Sequence, residues 1–257
     1  MEPSDFSPQL FEVEDGSLSF QRTPWDAKVL NKPALAILKI DTASKNYESL
    51  LASFLASTTI TGDEFYSARI PADNHQLKLA LQNIGFQIVE HTLDVTSSSF
   101  DTNLAEELLQ RIPVTTTPNV SDQLDAVKSI ASESFNFGRF HEDPKITLEQ
   151  ASLRNRNWID NLISQGADFN ILLKKEKAIG FMAWKVKEQD KAQLLFGGVK
   201  SNFQHLSYSF WADTLLKLST NASINTTISS SNTPVLNLYN YFGFHFTNPQ
   251  FGLHFHR

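Results

Sequence analysis

Tyr239 lies in a stretch whose residue types suit both chemistry and structure. Asn232 can cap a helix with its side-chain oxygen, Pro234 suits the first helical turn, and Gly243 can end the helix in a left-handed conformation. The apolar residues between them recur at helical spacing: Val235, Leu238 and Phe242. A phenol such as that of Tyr239 can act as a general acid. The alternative is an ordinary capped amphipathic helix that leads into a strand at Phe244.

Upstream of this helix, three apolar segments predict successive strands. They are Phe169–Lys174, Ala178–Val186 and Lys191–Val199. The third ends in Gly197 and Gly198, and adjacent glycines suit a close approach between backbone and ligand. A helix over residues 208–219 and a strand over 222–228 connect this segment to Asn232.

The rest of the chain shows the same alternation. Strands are predicted at residues 18–21, 34–40, 65–70 and 86–95, and helices at 46–55, 74–84, 103–111 and 124–135. A further helix carries Arg154, Trp158 and Ile163. Alternation of strands and helices predicts an α/β fold.

One internal comparison predicts a duplication. Asn74 precedes Gly85-Phe86 by the same spacing by which Asn232 precedes Gly243-Phe244, and Leu81 stands where the second copy has Tyr239. Capped helices before strands are common, so chance is the alternative. Because Ser, Thr and Pro concentrate at residues 97–101 and 113–118, we predict two domains, 1–112 and 113–257, the first a degenerate copy that has lost its acid.

Composition excludes several classes of function. The chain has 257 residues, a net charge of −6 and a pI near 5.6, which disfavours binding to nucleic acid or to an anionic membrane. It has no cysteine, hence neither a disulfide nor a thiol nucleophile. No apolar run is long enough to span a bilayer and the first residues do not resemble a signal peptide, so we expect a cytoplasmic protein. The 20 phenylalanines fit either an aromatic core or the apolar interface of a homodimer.

The order Asn232, Tyr239, Gly243-Phe244 resembles the closing motif of the GCN5-related N-acetyltransferases. Two further signatures resemble the TDP-fucosamine acetyltransferase group of that family: Arg139-Phe-x-x-Asp143-Pro144 before a helix bearing Trp158-Ile159, and an early Trp25-Asp26. The resemblance covers most of the chain. It implies a GNAT fold, with a central mixed, mostly antiparallel sheet flanked by helices and an N-terminal degenerate GNAT-like half.

The resemblance also implies acetyl-coenzyme A as co-substrate and Tyr239 as the acid that protonates the departing thiolate. The residues implied to hold the coenzyme are Phe196, Gly197, Gly198, Val199, Gln204, His205, Leu206, Ser207, Tyr208, Ser209 and Asn232. Backbone N–H groups at the start of the following helix would meet the pyrophosphate. Ser207 and Ser209 replace small residues of the family pattern and would be penalised if their φ had to be positive.

For the acceptor, the resemblance implies the amine of a nucleotide-linked amino sugar, with Arg139, His141 and Arg154 as substrate-binding residues. Solvated helix charges are the alternative for either arginine. A protein N-terminus, a polyamine or another small amine would use the same chemistry, and a non-catalytic binding module is the third hypothesis. The base is open among His141, a water chain, Glu188 and Asp190.

His254 and His256 share one face of the last predicted strand. Because no Cys, Asp or Glu lies near them in the sequence, we expect a terminal strand and no metal there.

Overall fold

The computed structural model describes residues 7–58, 62–187, 190–220 and 222–257. The chain forms two compact units. The first comprises the chain up to Thr92 together with Gly138–Gln150 and Asn248–Arg257, and the second comprises Leu93–Phe137 and Ala151–Thr247. The predicted division between residues 112 and 113 does not coincide with these units, because the end of the chain returns to the first one.

In the described part of the first unit, strands and helices follow one another up to the strand that begins at Gln87. In chain order they are β1 (Gln9–Val13), β2 (Gly16–Arg22), α1 (Pro24–Leu30), β3 (Ala34–Thr42), α2 (Tyr47–Thr58), β4 (Phe65–Pro71) and α3 (His75–Asn83). The strand β5 (Gln87–Ser97) begins here and ends in the second unit.

The second unit continues from β5. It contains α4 (Thr102–Arg111), β6 (Thr115–Thr117), α5 (Leu124–Glu133), most of α6 (Leu148–Ser164), β7 (Asp168–Lys174), β8 (Lys177–Lys187), β9 (Lys191–Val199), α7 (Ser207–Lys217), β10 (Ser223–Ser229) and α8 (Thr233–Tyr241). The strand β11 (His245–His256) begins here and ends in the first unit.

Strand pairing follows the same plan in each unit. The order in the first unit is β1-β2-β3-β4-β11-β5, and in the second it is β5-β10-β9-β8-β7-β6. Among the described pairs, β3–β4 and β9–β10 are parallel. The antiparallel pairs are β1–β2, β2–β3, β4–β11, β6–β7, β7–β8 and β8–β9. The predicted mixed, mostly antiparallel sheet architecture is confirmed.

Each parallel pair separates where one strand carries a bulge. In the first unit Ser19 pairs with Lys39 and Phe20 with Ile37, which leaves Leu38 without a partner on β2. In the second unit Ala183 pairs with Phe196 and Trp184 with Leu194, which leaves out Leu195. The parallel registers end beside these bulges, at Ile37 opposite Ala68 and at Gln193 opposite Asn225. A bulge bends its strand, so β3 and β9 turn away from their parallel neighbours.

The helices α3 and α8 confirm the predicted repeat. Asn74 accepts a hydrogen bond from the Leu77 N–H and Asn232 accepts one from the Val235 N–H. Both helices end in the same turn, in which a glycine of positive φ is followed by a bond from the Phe86 N–H to Leu81 O at 2.9 Å, or from the Phe244 N–H to Tyr239 O at 3.0 Å. The strand–capped helix–glycine–strand segment therefore occurs twice.

Apolar side chains form separate cores in the two units. In the first, residues of β2, β3 and β4 pack against α2 and α3 around Phe54 and Tyr66. In the second, one cluster includes residues of α4, α7 and α8, among them Phe210 and Trp211, and another includes residues of α5 and α6. Helices thus supply apolar side chains to two distinct clusters of the second unit.

A buried ion pair fixes the Gly138–Gln150 segment within the first unit. The Arg139 Nη2 donates to Asp26 Oδ2 at 2.9 Å, and the Asp26 side chain is fully buried. The guanidinium also lies over the Phe140 ring, 5.1 Å from its centre. The Trp25-Asp26 and Arg139-Phe140 signatures of the sequence therefore meet each other.

Most predicted elements are confirmed within a few residues. The sequence missed β1, α1 and β6, for which no element was predicted. It also divided β11 into two strands, whereas the structure has one. Every helix in the described ranges is too short or too polar to cross a lipid bilayer.

We expect Asn74→Ala to lower the free energy of unfolding by ~1 kcal/mol, because it removes the acceptor for the Leu77 N–H. Urea denaturation would measure this loss. Gln76→Ala, on the exposed side of the same helix, is the control and should cost almost nothing. Equal stability of the two variants would contradict a capping role for Asn74.

We expect Arg139→Met to cost about 3–5 kcal/mol of unfolding free energy, because the Asp26 carboxylate would stay buried without its partner. Arg22→Met removes an exposed arginine of the same unit and should have little effect. Adding Asp26→Leu to Arg139→Met should recover part of the loss, since an apolar pair leaves no buried charge. A double variant no more stable than Arg139→Met would argue against the ion pair as the cause.

Candidate active site

The separation of β9 from β10 exposes one edge of β9 to a new partner. Beyond Gln193, β9 continues through the bulge at Leu195 to Val199. The structure describes every residue of this segment and of β10, and none of them forms a further parallel pair between the two strands. Leu195, Phe196, Gly197 and Gly198 are half-buried. Backbone N–H and C=O groups in such a position can pair with an extended ligand.

The two glycines of β9 are required by the protein's own side chains. A Cβ on Gly197 would lie 2.6 Å from the Met182 Sδ, and one on Gly198 would lie 2.8 Å from the Phe135 Cζ. The sequence attributed these glycines to a close approach between backbone and ligand. The structure shows instead that Met182 and Phe135 occupy the space.

The segment after β9 turns directly into a helix without backbone strain. A 3-10 turn over Ser201–Leu206 continues into α7, and Ser207 has φ −59° and ψ −43°. Ser209 is likewise absent from the described residues with positive φ, and its side chain is buried. Neither serine therefore has the positive φ that would have been unfavourable for a residue with a side chain.

The start of α7 carries neither a side-chain cap nor an acid. No side chain among the described residues caps it, and no acidic residue lies in its first turn. The 3-10 turn that leads into it pairs the Ser207 N–H with Gln204 O; Lys200 precedes that turn and His205 lies in it. The dipole of a helix start without an acid favours negatively charged ligands, which is the property a pyrophosphate site needs.

The equivalent position in the first unit is filled by the protein itself. Asn46 caps α2 by accepting from the Ser49 N–H at 3.3 Å, and Glu48 lies in the first turn. Asp15 accepts from the Thr42 hydroxyl at 3.2 Å and from the Ser44 hydroxyl. The Asp15 carboxylate and the Asn46 amide therefore lie at the start of α2, whereas the start of α7 has neither a side-chain cap nor an acidic residue.

Tyr239 lies in the core of the second unit. Its side chain is 3 % exposed and packs edge-on against Phe244, with ring centres 5.0 Å apart. Burial raises the pKa of the phenol well above its usual 10.0, and the nearby Trp211 indole N–H opposes part of that rise. That indole nitrogen makes no hydrogen bond of normal geometry within the described residues, so burial dominates. The phenol is therefore protonated throughout the neutral range.

Asn232 uses its side-chain oxygen as a helix cap, 3.4 Å from the Val235 nitrogen. Nearby in the fold, the exposed rings of Tyr208 on α7 and Tyr241 on α8 contact each other edge-on at 5.1 Å. The helix α8, which carries Tyr239, and the helix α7 are thus in contact through these rings.

The predicted substrate-binding residues have different surroundings and belong to different units. Arg139 pairs with Asp26 in the first unit, so its guanidinium is not a solvated anion site. His141, in the same unit, is half-buried in a turn where its N–H donates to Gly138 O at 2.8 Å. Arg154, in the second unit, lies over Trp158 at 5.9 Å from the ring centre.

An aromatic cluster on β9 was missed by the sequence reasoning. Phe196 stacks on Trp158 with ring centres 4.6 Å apart and contacts Phe135 at 4.3 Å. These half-buried rings lie next to the bulge at Leu195. The rings come from α6, β9 and the segment after α5, so only the fold brings them together.

The described part of the site contains no evident base. Asp190 is exposed and has φ +55°, and its carbonyl accepts from the Ala222 N–H. Glu188, the other candidate in this turn, lies outside the described residues.

A second polar cluster lies in the first unit, where the sequence predicted none. Asp143 Oδ2 accepts from His254 Nδ1 and from His256 Nε2, each at 2.7 Å. Burial lowers the pKa of His254 to about 4. Burial by itself would raise the pKa of Asp143, but the hydrogen bonds from both histidines and from the Lys145 N–H hold it well below its usual 3.8. The large separation in sequence concealed the partnership of Asp143 with the histidines.

No protein-family model and no curated protein matches this sequence. Solved structures do. A functionally unknown conserved protein from Staphylococcus epidermidis aligns with a TM-score of 0.65 and 13 % identity, over 97 % of this chain and 94 % of its own. A GCN5-related N-acetyltransferase from Sphaerobacter thermophilus aligns with a TM-score of 0.57 and 9 % identity, over 95 % and 81 %.

A tandem GNAT protein from the clavulanic acid biosynthesis pathway covers 100 % of this chain and 85 % of its own, with a TM-score of 0.53 and 9 % identity. At such identities the similarity establishes the fold. Together with the repeated bulge and the repeated capped helix, it shows that this chain has the fold of the GCN5-related N-acetyltransferases in tandem.

Proposed function

We propose that the second unit is an N-acyltransferase that moves the acetyl group of acetyl-coenzyme A to an amine. The observation that carries this proposal is the separation of β9 from β10, which leads directly into the open start of α7. An extended arm can pair with the free edge of β9 while a diphosphate meets the helix donors. Few ligands other than a coenzyme A thioester combine these two parts.

The thioester would lie at the bulge. Leu195 interrupts the β8–β9 ladder, so backbone groups near it are available to a ligand carbonyl. A backbone N–H directed at that oxygen would stabilise the negative charge that develops when the amine attacks.

Tyr239 is our candidate acid. In the reaction the amine nitrogen bonds to the acetyl carbon and releases a proton to water, while the C–S bond breaks. The sulfur takes a proton from Tyr239, which regains one from water. The raised pKa favours this role in one respect, because an acid must be protonated before it acts. The role also requires the thioester sulfur to reach a side chain that is only 3 % exposed.

For the acceptor we propose a primary amine. A nucleotide-linked amino sugar, as in the TDP-fucosamine acetyltransferase group, is the candidate that the sequence resemblance favours. Arg154 is the arginine that supports it, because Arg139 pairs with Asp26. A protein N-terminus or a polyamine would need only the same amine chemistry.

The second candidate function is a binding module that holds coenzyme A without turnover. The burial of Tyr239 and the Phe135 ring over Gly198 favour it, because both restrict access to the reacting atoms. An assay of acyl transfer distinguishes the acyltransferase from the binding module, whereas both candidate functions require coenzyme A to bind.

Acetyl-coenzyme A should raise the melting temperature of the protein, since a ligand that binds the native state stabilises it. Ser207→Asp should abolish most of this shift, because a carboxylate at the start of α7 repels the diphosphate while remaining compatible with the helix. Differential scanning fluorimetry would measure both effects.

Ser49→Asp is the control, since Ser49 lies in the first turn of α2 as Ser207 lies in the first turn of α7. We expect it to leave the shift unchanged. An unaltered melting temperature of the native chain at millimolar acetyl-coenzyme A would refute the coenzyme site in either candidate function.

Tyr239→Phe should lower turnover about 100-fold, the usual contribution of a positioned acid, with little change in the KM for acetyl-coenzyme A. Tyr241→Phe, which removes an exposed hydroxyl on the same helix, should retain full activity. Because the pKa of Tyr239 is raised above 10.0, activity should show no decline from loss of its proton below that pH. Thiol release with a panel of amines would measure these rates, and an unchanged rate in Tyr239→Phe would remove the residue from the mechanism.

A further inference from the structure

Three side chains of the first unit converge on one point. Asp143 Oδ2, His254 Nδ1 and His256 Nε2 all lie within 4.8 Å of one another. Asp143 and His254 are 1 % exposed, and His256 is 11 % exposed. Burial of a carboxylate with two imidazoles is costly unless their polar atoms are matched, and here all three are directed at each other.

Surrounding groups hold the three side chains in place. The Lys145 N–H donates to Asp143 Oδ1 at 2.8 Å, which leaves Oδ2 for the histidines. Phe65 contacts the His254 ring at 4.7 Å and the His256 ring at 5.0 Å between centres, and Phe140 contacts His254 at 5.8 Å. A strand, a turn and two aromatic rings therefore pre-organise the cluster.

The environment of His254 permits either neutral tautomer. Its Nε2 is buried and makes no hydrogen bond to any described residue. Moving the proton from Nδ1 to Nε2 therefore sacrifices the Nδ1–H···Oδ2 bond and no other. A bond from Nδ1 to a cation would replace that interaction.

We propose that Asp143, His254 and His256 bind one divalent transition-metal ion of the zinc class. Two imidazole nitrogens and one carboxylate oxygen are ligands that zinc and its neighbours in the first transition row accept, whereas magnesium and calcium prefer oxygen alone. This site goes beyond the proposed acyl transfer, and all of its ligands belong to the first unit.

The change required for binding is small. Ligands of a tetrahedral zinc ion at bond lengths of about 2.0 Å lie about 3.3 Å apart. The two N···O distances would lengthen from 2.7 Å by rotation of the imidazole rings, and the two histidine nitrogens, which lie within 4.8 Å of each other, would take up the same spacing. Three protein ligands leave a fourth position, and it would open on the side of His256, the most exposed of the three.

Bound metal would fasten the last strand to the Gly138–Gln150 segment. His254 and His256 lie on β11, which pairs with β4, and Asp143 lies in the segment that Arg139 attaches to α1. The ion would therefore join two parts of the first unit that are far apart in the chain.

The test uses the full chain, freed of metal with a chelator and then titrated with Zn²⁺ by calorimetry and with Co²⁺ by visible absorption. We expect one equivalent of Zn²⁺ at micromolar affinity or tighter, a rise in melting temperature, and Co²⁺ bands typical of nitrogen and oxygen ligands. His256→Gln and Asp143→Asn should each weaken Zn²⁺ binding by more than the roughly 10- to 100-fold that loss of an outer-shell partner costs.

His245→Gln removes an exposed histidine from the same strand and should bind Zn²⁺ as the native chain does. Circular dichroism of each metal-free variant shows whether it is folded. If a variant is unfolded, the Zn²⁺ titration of the native chain alone tests the proposal. Failure of the native chain to bind one equivalent, or affinity unchanged in folded His256→Gln and Asp143→Asn, would overturn the proposal and leave a hydrogen-bonded structural cluster.

Discussion

The antiparallel register between Gln250–His256 of β11 and the strand β4 is the constraint on which the organisation of the chain depends. Through it, the last residues complete the first unit. The strand β5 does the converse, since it begins in the first unit and ends beside β10 in the second. The first unit is therefore built from segments far apart in the sequence, although the repeat itself is read in order along the chain.

The two copies show how one backbone plan can carry different side chains at equivalent helix starts. Both have the bulged strand, the parallel neighbour and the capped helix before the last strand. They differ at the start of the helix after the bulge. In the first copy Asn46 and Asp15 supply the acceptors that the loop needs, whereas in the second the described side chains leave the helix start open. A few side chains, and not the fold, therefore distinguish the two helix starts.

Local patterns in the sequence were enough to predict most of the fold. Asn caps, glycine stops and apolar periodicity are short-range signals, so α3, α8 and the strands around them were placed correctly. The sequence also directed attention to β9, α7 and Tyr239. It could not reveal that Phe135 fills the space over Gly198, that Asp26 engages Arg139, or that Asp143 lies beside His254, because each of these depends on contacts across long chain separations. The unit boundaries were missed for the same reason, since a linker rich in Ser and Thr carries no information about where a distant strand will pair.

The return of β11 also has a consequence for how the protein is made. Leu253 belongs to the buried core of the first unit, and Phe251 and Phe255 pack against that core. These residues are synthesised long after β4, so the core of the first unit cannot close until the ribosome has passed them. Closing so long a loop is slow, and the unpaired edge of β4 stays exposed in the meantime. A chain that lacked Asn248–Arg257 would thus be damaged in the unit that contains β1 to β4, far from the deletion in the linear sequence.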